Sequence, residues 1–275
     1  MDKNYLHQKQ PSCLAALSLA TSPETKHSSL TTHYSLKHKP AFTLAEFLIT
    51  LGIIGVVAAL TIFTLVTNYQ KRNTVTQLKK VYTTLSQAFE LAQAENGSSI
   101  DWIQNRNNYF RDYFLPYLNV ADYCVLPECE TKGIHFGMDG NKYEVPLLKQ
   151  IKSLPVDSQA YIVILSDGTM LYIYQSLYQK YWTLSIWVDL NGNKGPNRTG
   201  RDIFSLFLFS GAKAYWVENI ATVNEKPGIY FSGGFLKDRD KIMYEGGSSN
   251  CSSLGITCGA LIQYDGWEIK SDYPW

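Results

Sequence analysis

With 45% hydrophobic and 18% charged residues over 275 positions, the chain carries enough apolar side chain for one or two packed domains and falls outside the disordered class. Its formal charge of +1 conceals a net +3 in residues 1–41, from Lys3, Lys9, Lys26, Lys37 and Lys39 against Asp2 and Glu24. The remainder stands at −2, which excludes the broad basic surface of a nonspecific nucleic-acid binder, so no nucleic-acid partner is expected.

Met1 to about Leu36, rich in Ser, Thr and His, reads as a disordered cytoplasmic extension. From Phe42 to Val66 the chain is apolar, Gly or Thr throughout except for Glu46, and Phe47 to Val66 has no charge. A helix needs about 20 apolar residues to cross a hydrocarbon core, so this stretch predicts a membrane span. A secretory signal is a poor match, because its apolar region is shorter and lies near the chain start. Lys37 and Lys39 precede the run while Lys71, Arg72, Lys79 and Lys80 follow it, so flanking charge leaves the orientation open. A carboxylate in such a segment marks a functional site by default; at headgroup depth it is an ordinary polar residue.

Val75, Leu78, Tyr82, Leu85, Phe89 and Ala92 then follow alternating steps of three and four, a single helical stripe. Neither Pro nor Gly interrupts the chain from Val56 until Asn96-Gly97, where Gly offers a stop. Residues 42–96 are therefore predicted as one helix of about 80 Å. Its first part, 42–66, would span the membrane, and its second, 67–96, would bury the stripe against a head or against a coiled-coil partner.

A short helix is expected between Ile100 and Leu118, ahead of Pro116. Beyond it aromatic residues are dense and period-two patterns take over. "YIVILSDGTMLYIY" sets two β-rich runs around Asp167-Gly168, which predicts a hairpin with a primed turn. "YWTLSIWVDLNGN", "DIFSLFLF" and "GALIQYDGWEIK" are predicted strands, with Asp265-Gly266 a second turn of the same kind. The fold class is α+β: a long N-terminal helix packed on an antiparallel β-sheet head, residues 97–275.

Four of the five cysteines form two close pairs, Cys124 with Cys129 and Cys251 with Cys258. Two local disulfides are the simplest pairing in an oxidising compartment, and a zinc site is the rival, although His135 is the only histidine after residue 41. "VDLNGNKGPNRTGRDIF" gathers side-chain oxygens from Asp189, Asn191, Asn193, Asn197 and Asp202 around Gly-rich backbone, which suits a hard cation such as calcium. It is not an EF-hand, since Gly192 falls too early and Gly200 takes the slot of the bidentate Glu. A long inter-strand loop with turn-forming Asn and Gly accounts for the same residues.

"KPAFTLAEFLITLGIIGVVAAL" resembles the N-terminal cleavage and methylation segment of type IV pilins and the pseudopilins of type II secretion. The resemblance implies that residues 1–41 are a leader removed by a prepilin peptidase between Ala41 and Phe42, with the new amine methylated. It also implies that Glu46 meets the amine of a neighbouring subunit during assembly. Ala41 stands where Gly is usual, and Phe63 where many members carry a helix-bending Pro. The Asp189 loop and the tail from Cys251 are similar to those of bacterial pilin-like proteins. Some pseudopilins hold calcium near this part of the head. In the tail, a Cys251–Cys258 disulfide would pin a loop next to the last strand. The implied partners are other pilin or pseudopilin subunits, the peptidase, an inner-membrane assembly platform and the membrane itself. The implied location is a bacterial inner membrane with the head extracytoplasmic, then a periplasmic or surface filament.

An anchored enzyme would need a catalytic set. After residue 41 the chain has one His, no Gly-x-Ser-x-Gly and no phosphate-binding Gly loop. The expected role is structural, a filament subunit; a binding protein tethered by one helix is the alternative, and it would tolerate loss of Glu46.

Overall fold

A computed structural model describes residues 42–102, 108–125, 134–136, 142–144, 159–178, 181–192, 194–210, 226–245 and 249–275. The chain divides into two compact units, Met1–Ile53 and Ile54–Trp275.

Helix α1 runs from Leu44 to Asn96. It starts two residues later than expected because Thr43 caps it. The Glu46 N–H donates to Thr43 Oγ1 at 3.2 Å, and the Thr43 N–H donates to Glu46 Oε2 at 2.8 Å. This is a capping box, in which two orphan backbone donors are satisfied reciprocally. At the other end Gly97 stops the helix as expected, taking φ 77° while its N–H reaches the Gln93 carbonyl at 3.0 Å.

The second unit is built on that stripe. Leu78, Val81, Leu85, Ala88, Phe89 and Ala92 are buried, with Val75 and Tyr82 packed partly against the same core. Each fully buried aliphatic or aromatic side chain contributes about 1.5–3 kcal/mol of transfer free energy. The stripe therefore ties the helix to the head.

The main sheet is antiparallel, in the order β1 (Val120–Val125), β4 (Gln159–Leu165), β5 (Met170–Tyr178), β6 (Tyr181–Asp189), β7 (Ile203–Phe209), β8 (Gly228–Phe231). Strands β2 (Ile134–Phe136) and β3 (Lys142–Glu144) pair separately. One rung crosses the whole main sheet, Val125, Tyr161, Ile173, Ile186, Leu206 and Phe231, and all of it joins the core that holds the α1 stripe. The next rung, Ile162, Tyr172 and Trp187, faces the other way into a smaller cluster with Met170 and Ile203. This is the period-two alternation of a pleated strand. Tyr82 of α1 stacks on Phe231 of β8 at 5.2 Å between ring centroids.

The expected helix before Pro116 becomes three short ones: α2 (Ser99–Trp102), α3 (Tyr109–Tyr113) and a 3₁₀ turn at Leu115–Tyr117. They cap the core with rings, Trp102 stacking on Tyr113 at 5.4 Å and meeting Phe89 edge-on at 5.8 Å. Helix α4 (Arg239–Tyr244) starts at Asp238, whose carboxylate accepts from the Asp240 and Lys241 N–H groups.

Three expectations are corrected. The β4–β5 hairpin forms, but with a three-residue loop: Leu165 pairs with Thr169, Gly168 N–H donates to the Leu165 carbonyl, and of the loop residues Gly168 alone has positive φ, 87°. A primed turn needs positive φ at its first central residue, which here carries a side chain; a glycine bulge places the strain on Gly168 instead. "GALIQYDGWEIK" is not a strand. It begins inside helix α5 (Cys258–Tyr264), and Asp265-Gly266 is the helix end. There the Gly266 N–H donates to Gln263 and the Trp267 N–H to Ile262, a Schellman motif that requires the left-handed Gly266 (φ 77°). The Cys251–Cys258 disulfide forms, but it pins the entry of α5 rather than a loop beside the last strand. Cys124 is also disulfide-bonded, so these three cysteines are not zinc thiolates; Cys129 lies outside the described residues.

Candidate functional site

Two places carry the functional expectations. The first is the start of α1. Ala41 lies outside the described residues, while Phe42 is exposed, as are Leu44, Phe47, Ile49, Ile53, Leu60 and Phe63. The helix is long and apolar enough to cross a membrane, and none of its most apolar window is buried. Its few polar side chains are satisfied within the helix. The hydroxyls of Thr50, Thr61, Thr64 and Thr67 donate to the carbonyls of Phe47, Val57, Leu60 and Phe63. A hydrocarbon surrounding accepts hydroxyls only when they are paired in this way, because it holds no water to take up an unpaired group.

Glu46 has a partner within its own chain. Besides the Thr43 N–H it accepts from the Thr43 hydroxyl at 2.9 Å. Thr43 joins the site beyond the sequence expectations, although Thr-x-x-Glu before an apolar run is a legible capping signal.

The second place is the β6–β7 loop. The end of β6 delivers Asp189 and the start of β7 is preceded by Asp202, and the fold buries both carboxylates. Asp202 Oδ2 accepts the Asn197 N–H at 2.8 Å and Asn191 Nδ2 at 3.2 Å, while its Oδ1 accepts the Arg198 N–H. Asp189 Oδ1 accepts the Asn191 N–H at 3.2 Å. Burial pushes the Asp189 carboxyl up to about 7, with the Asp202 charge adding to the rise and backbone donors opposing it. Burial likewise raises Asp202 against the pull of its N–H donors. Asn197 takes a left-handed φ of 50°, which turns its N–H toward Asp202.

The loop thus brings Asp189, Asn191, Asn197 and Asp202 together, and Asn193 lies outside the described residues. The Oδ1 atoms of Asn191 and Asn197 and the Thr199 hydroxyl are buried without a hydrogen-bond partner. Among the described residues, however, no three His, Cys, Asp or Glu side chains gather. Both oxygens of Asp202 are committed to N–H donors. The described part of the loop thus holds two buried carboxylates, one of them taken up by N–H donors of the loop, beside three side-chain oxygens without a partner.

No match to a curated protein or to a solved structure is found. A family model described as "Family of unknown function (DUF6613)" matches residues 64–275, the second half of α1 and the whole head. On that match, which takes in more than half of the chain, the protein belongs to this family of unknown function.

Proposed function

We propose that this chain is a structural subunit of a type IV pilus-like or type II secretion pseudopilus filament, inserted with its leader in the cytoplasm and cut between Ala41 and Phe42. The observation that carries the reading is the combination of Phe-Thr-Leu-Ala-Glu at the head of α1 with an apolar run, Phe47 to Val66, that buries none of its side chains. Such a surface has to be covered by lipid first and by neighbouring subunits afterwards. The disulfide at the entry of α5 suits an oxidising, extracytoplasmic head. In this role the chain supplies docking surfaces and no chemistry. The test is intact mass and N-terminal sequencing of the chain co-expressed with an active prepilin peptidase. A start at N-methyl-Phe42 is the expected result, and an uncut chain would overturn it.

A single-helix membrane-anchored binding protein is the second reading, and one observation favours it: Thr43 already satisfies Glu46 without a partner. Glu46→Gln separates the two, because Gln at this position of a capping box still serves the helix start while the charge is gone. A filament subunit should lose tenfold or more of its assembly; a tethered protein should be unaffected.

A further inference from the structure

Beyond Val66 the apolar run of α1 gives way to Asn68, Lys71 and Arg72. At about 1.5 Å per residue they lie about 3–9 Å further along the axis. That is the depth of the headgroup layer, which adds about 5–7 Å to each side of a hydrocarbon core of about 30 Å. Tyr69, exposed on the same turn, belongs to the residue type that collects at this depth.

The C-terminal segment folds back to the same level. Lys71 Nζ lies 5.8 Å and Arg201 Cζ 5.3 Å from the centroid of the Trp275 ring, so one indole carries two cations from distant parts of the chain. Trp267 holds a left-handed φ of 65°, a conformation that a bulky residue keeps only when its surroundings impose it. Beside Trp267 lies a groove of about 520 Å³, lined on α1 from Asn68, Lys71 and Arg72 up to Thr76 and on the other side by Trp267, Glu268 and Ile269. Its two cations outnumber the single carboxylate of Glu268. The groove is therefore complementary to an anion, at the depth where the membrane offers phosphate.

We propose that this groove seats the headgroup of an anionic phospholipid, with Lys71 and Arg72 facing the phosphate and the Trp275 indole, which Lys71 reaches, placed at the interface. The proposal rests on Phe42–Val66 spanning the membrane and does not require the chain to form filaments. A second copy of the chain is the competing occupant. Continuity with the apolar run favours lipid, because the groove begins where the hydrocarbon ends.

The test is native mass spectrometry of the full chain released from nanodiscs of mixed phosphatidylcholine and phosphatidylglycerol. Preferential retention of phosphatidylglycerol is expected, falling about tenfold or more in Lys71→Gln/Arg72→Gln, since each cation near an anionic surface contributes about 1 kcal/mol. Lys80→Gln, about 20 Å past Val66 and paired with Asp167 away from the groove, should leave retention unchanged. Unaltered thermal unfolding of the double variant would assign the loss to the groove. Equal retention of the two lipids, indifference to the double variant, or crosslinking of the groove to a second copy in place of lipid would each overturn the proposal. Alkaline carbonate extraction distinguishes the levels: release of the chain from the bilayer defeats the membrane reading itself, whereas retention without lipid preference defeats only the groove.

Discussion

Helix α1 contains two regions with the same backbone and opposite fates. Between Leu44 and Val66 apolar residues surround the helix on all sides and none is buried; between Val75 and Ala92 they occupy one stripe, and the head covers it. The difference teaches that the amount of apolar surface does not decide what covers it. A stripe matches one protein face, and an all-round surface matches a solvent or a ring of neighbours.

The largest expected break of this comparison comes from truncating each region in turn. Leu85→Ala, at a site with 0% exposure, should destabilise the head by about 3 kcal/mol, within the range of about 2–5 seen for such cavities. Leu60→Ala, at 71% exposure, should leave head unfolding unchanged. Urea titrations of both variants in the same detergent check this, and equal shifts would mean that the first region is packed as well. A smaller effect should follow from removing the Cys251–Cys258 bond, whose sequence separation of 7 predicts a loss of about 2–3 kcal/mol by loop-closure entropy. The double Cys→Ala variant should show it in the head while the helical signal of the first region stays intact.

The most gradual break comes from pH. Asp189 binds its proton more tightly in the folded head, its pKa standing at about 7 against 3.8 for the free side chain. Its contribution is therefore complete below the unfolded pKa and is lost as pH rises through about 7, with a slope of at most about 1.4 kcal/mol per pH unit. Unfolding measured in a chelator from pH 4 to 8 should show stability declining over this window, and Asp189→Asn should flatten the decline. A profile insensitive to the substitution would mean that Asp189 stays ionised.

Much of this was legible along the chain. The α1 stripe, its stop at Gly97 and the strands β4 to β7 depend on residues a few positions apart, and their periodicities name them. Helix α5 was not legible, because Ala260, Leu261 and Ile262 are buried consecutively and a short apolar run has no period to separate helix from strand. The Asp-Gly dipeptide misled for a related reason. At 167–168 it sits in a hairpin and at 265–266 it closes a helix, since left-handed glycine serves both ends. The Glu46 cap is legible as Thr-x-x-Glu before an apolar run. The Asp189 loop shows its side-chain oxygens in the sequence, but the N–H groups that Asp202 accepts are set by the loop's backbone path, which no spacing encodes.

By itself the sequence determined where the long helix runs, which part is apolar all round and which part carries a stripe, because those properties repeat within a few residues. Only the tertiary structure decided that Asp202 is consumed by its own loop and that "GALIQY" is helix. The same holds for the meeting of Lys71, Arg201 and Trp275 at the end of the apolar run, residues up to 204 positions apart in the sequence. No local period encodes such encounters; they follow from the packing of the sheet and helices on one shared core.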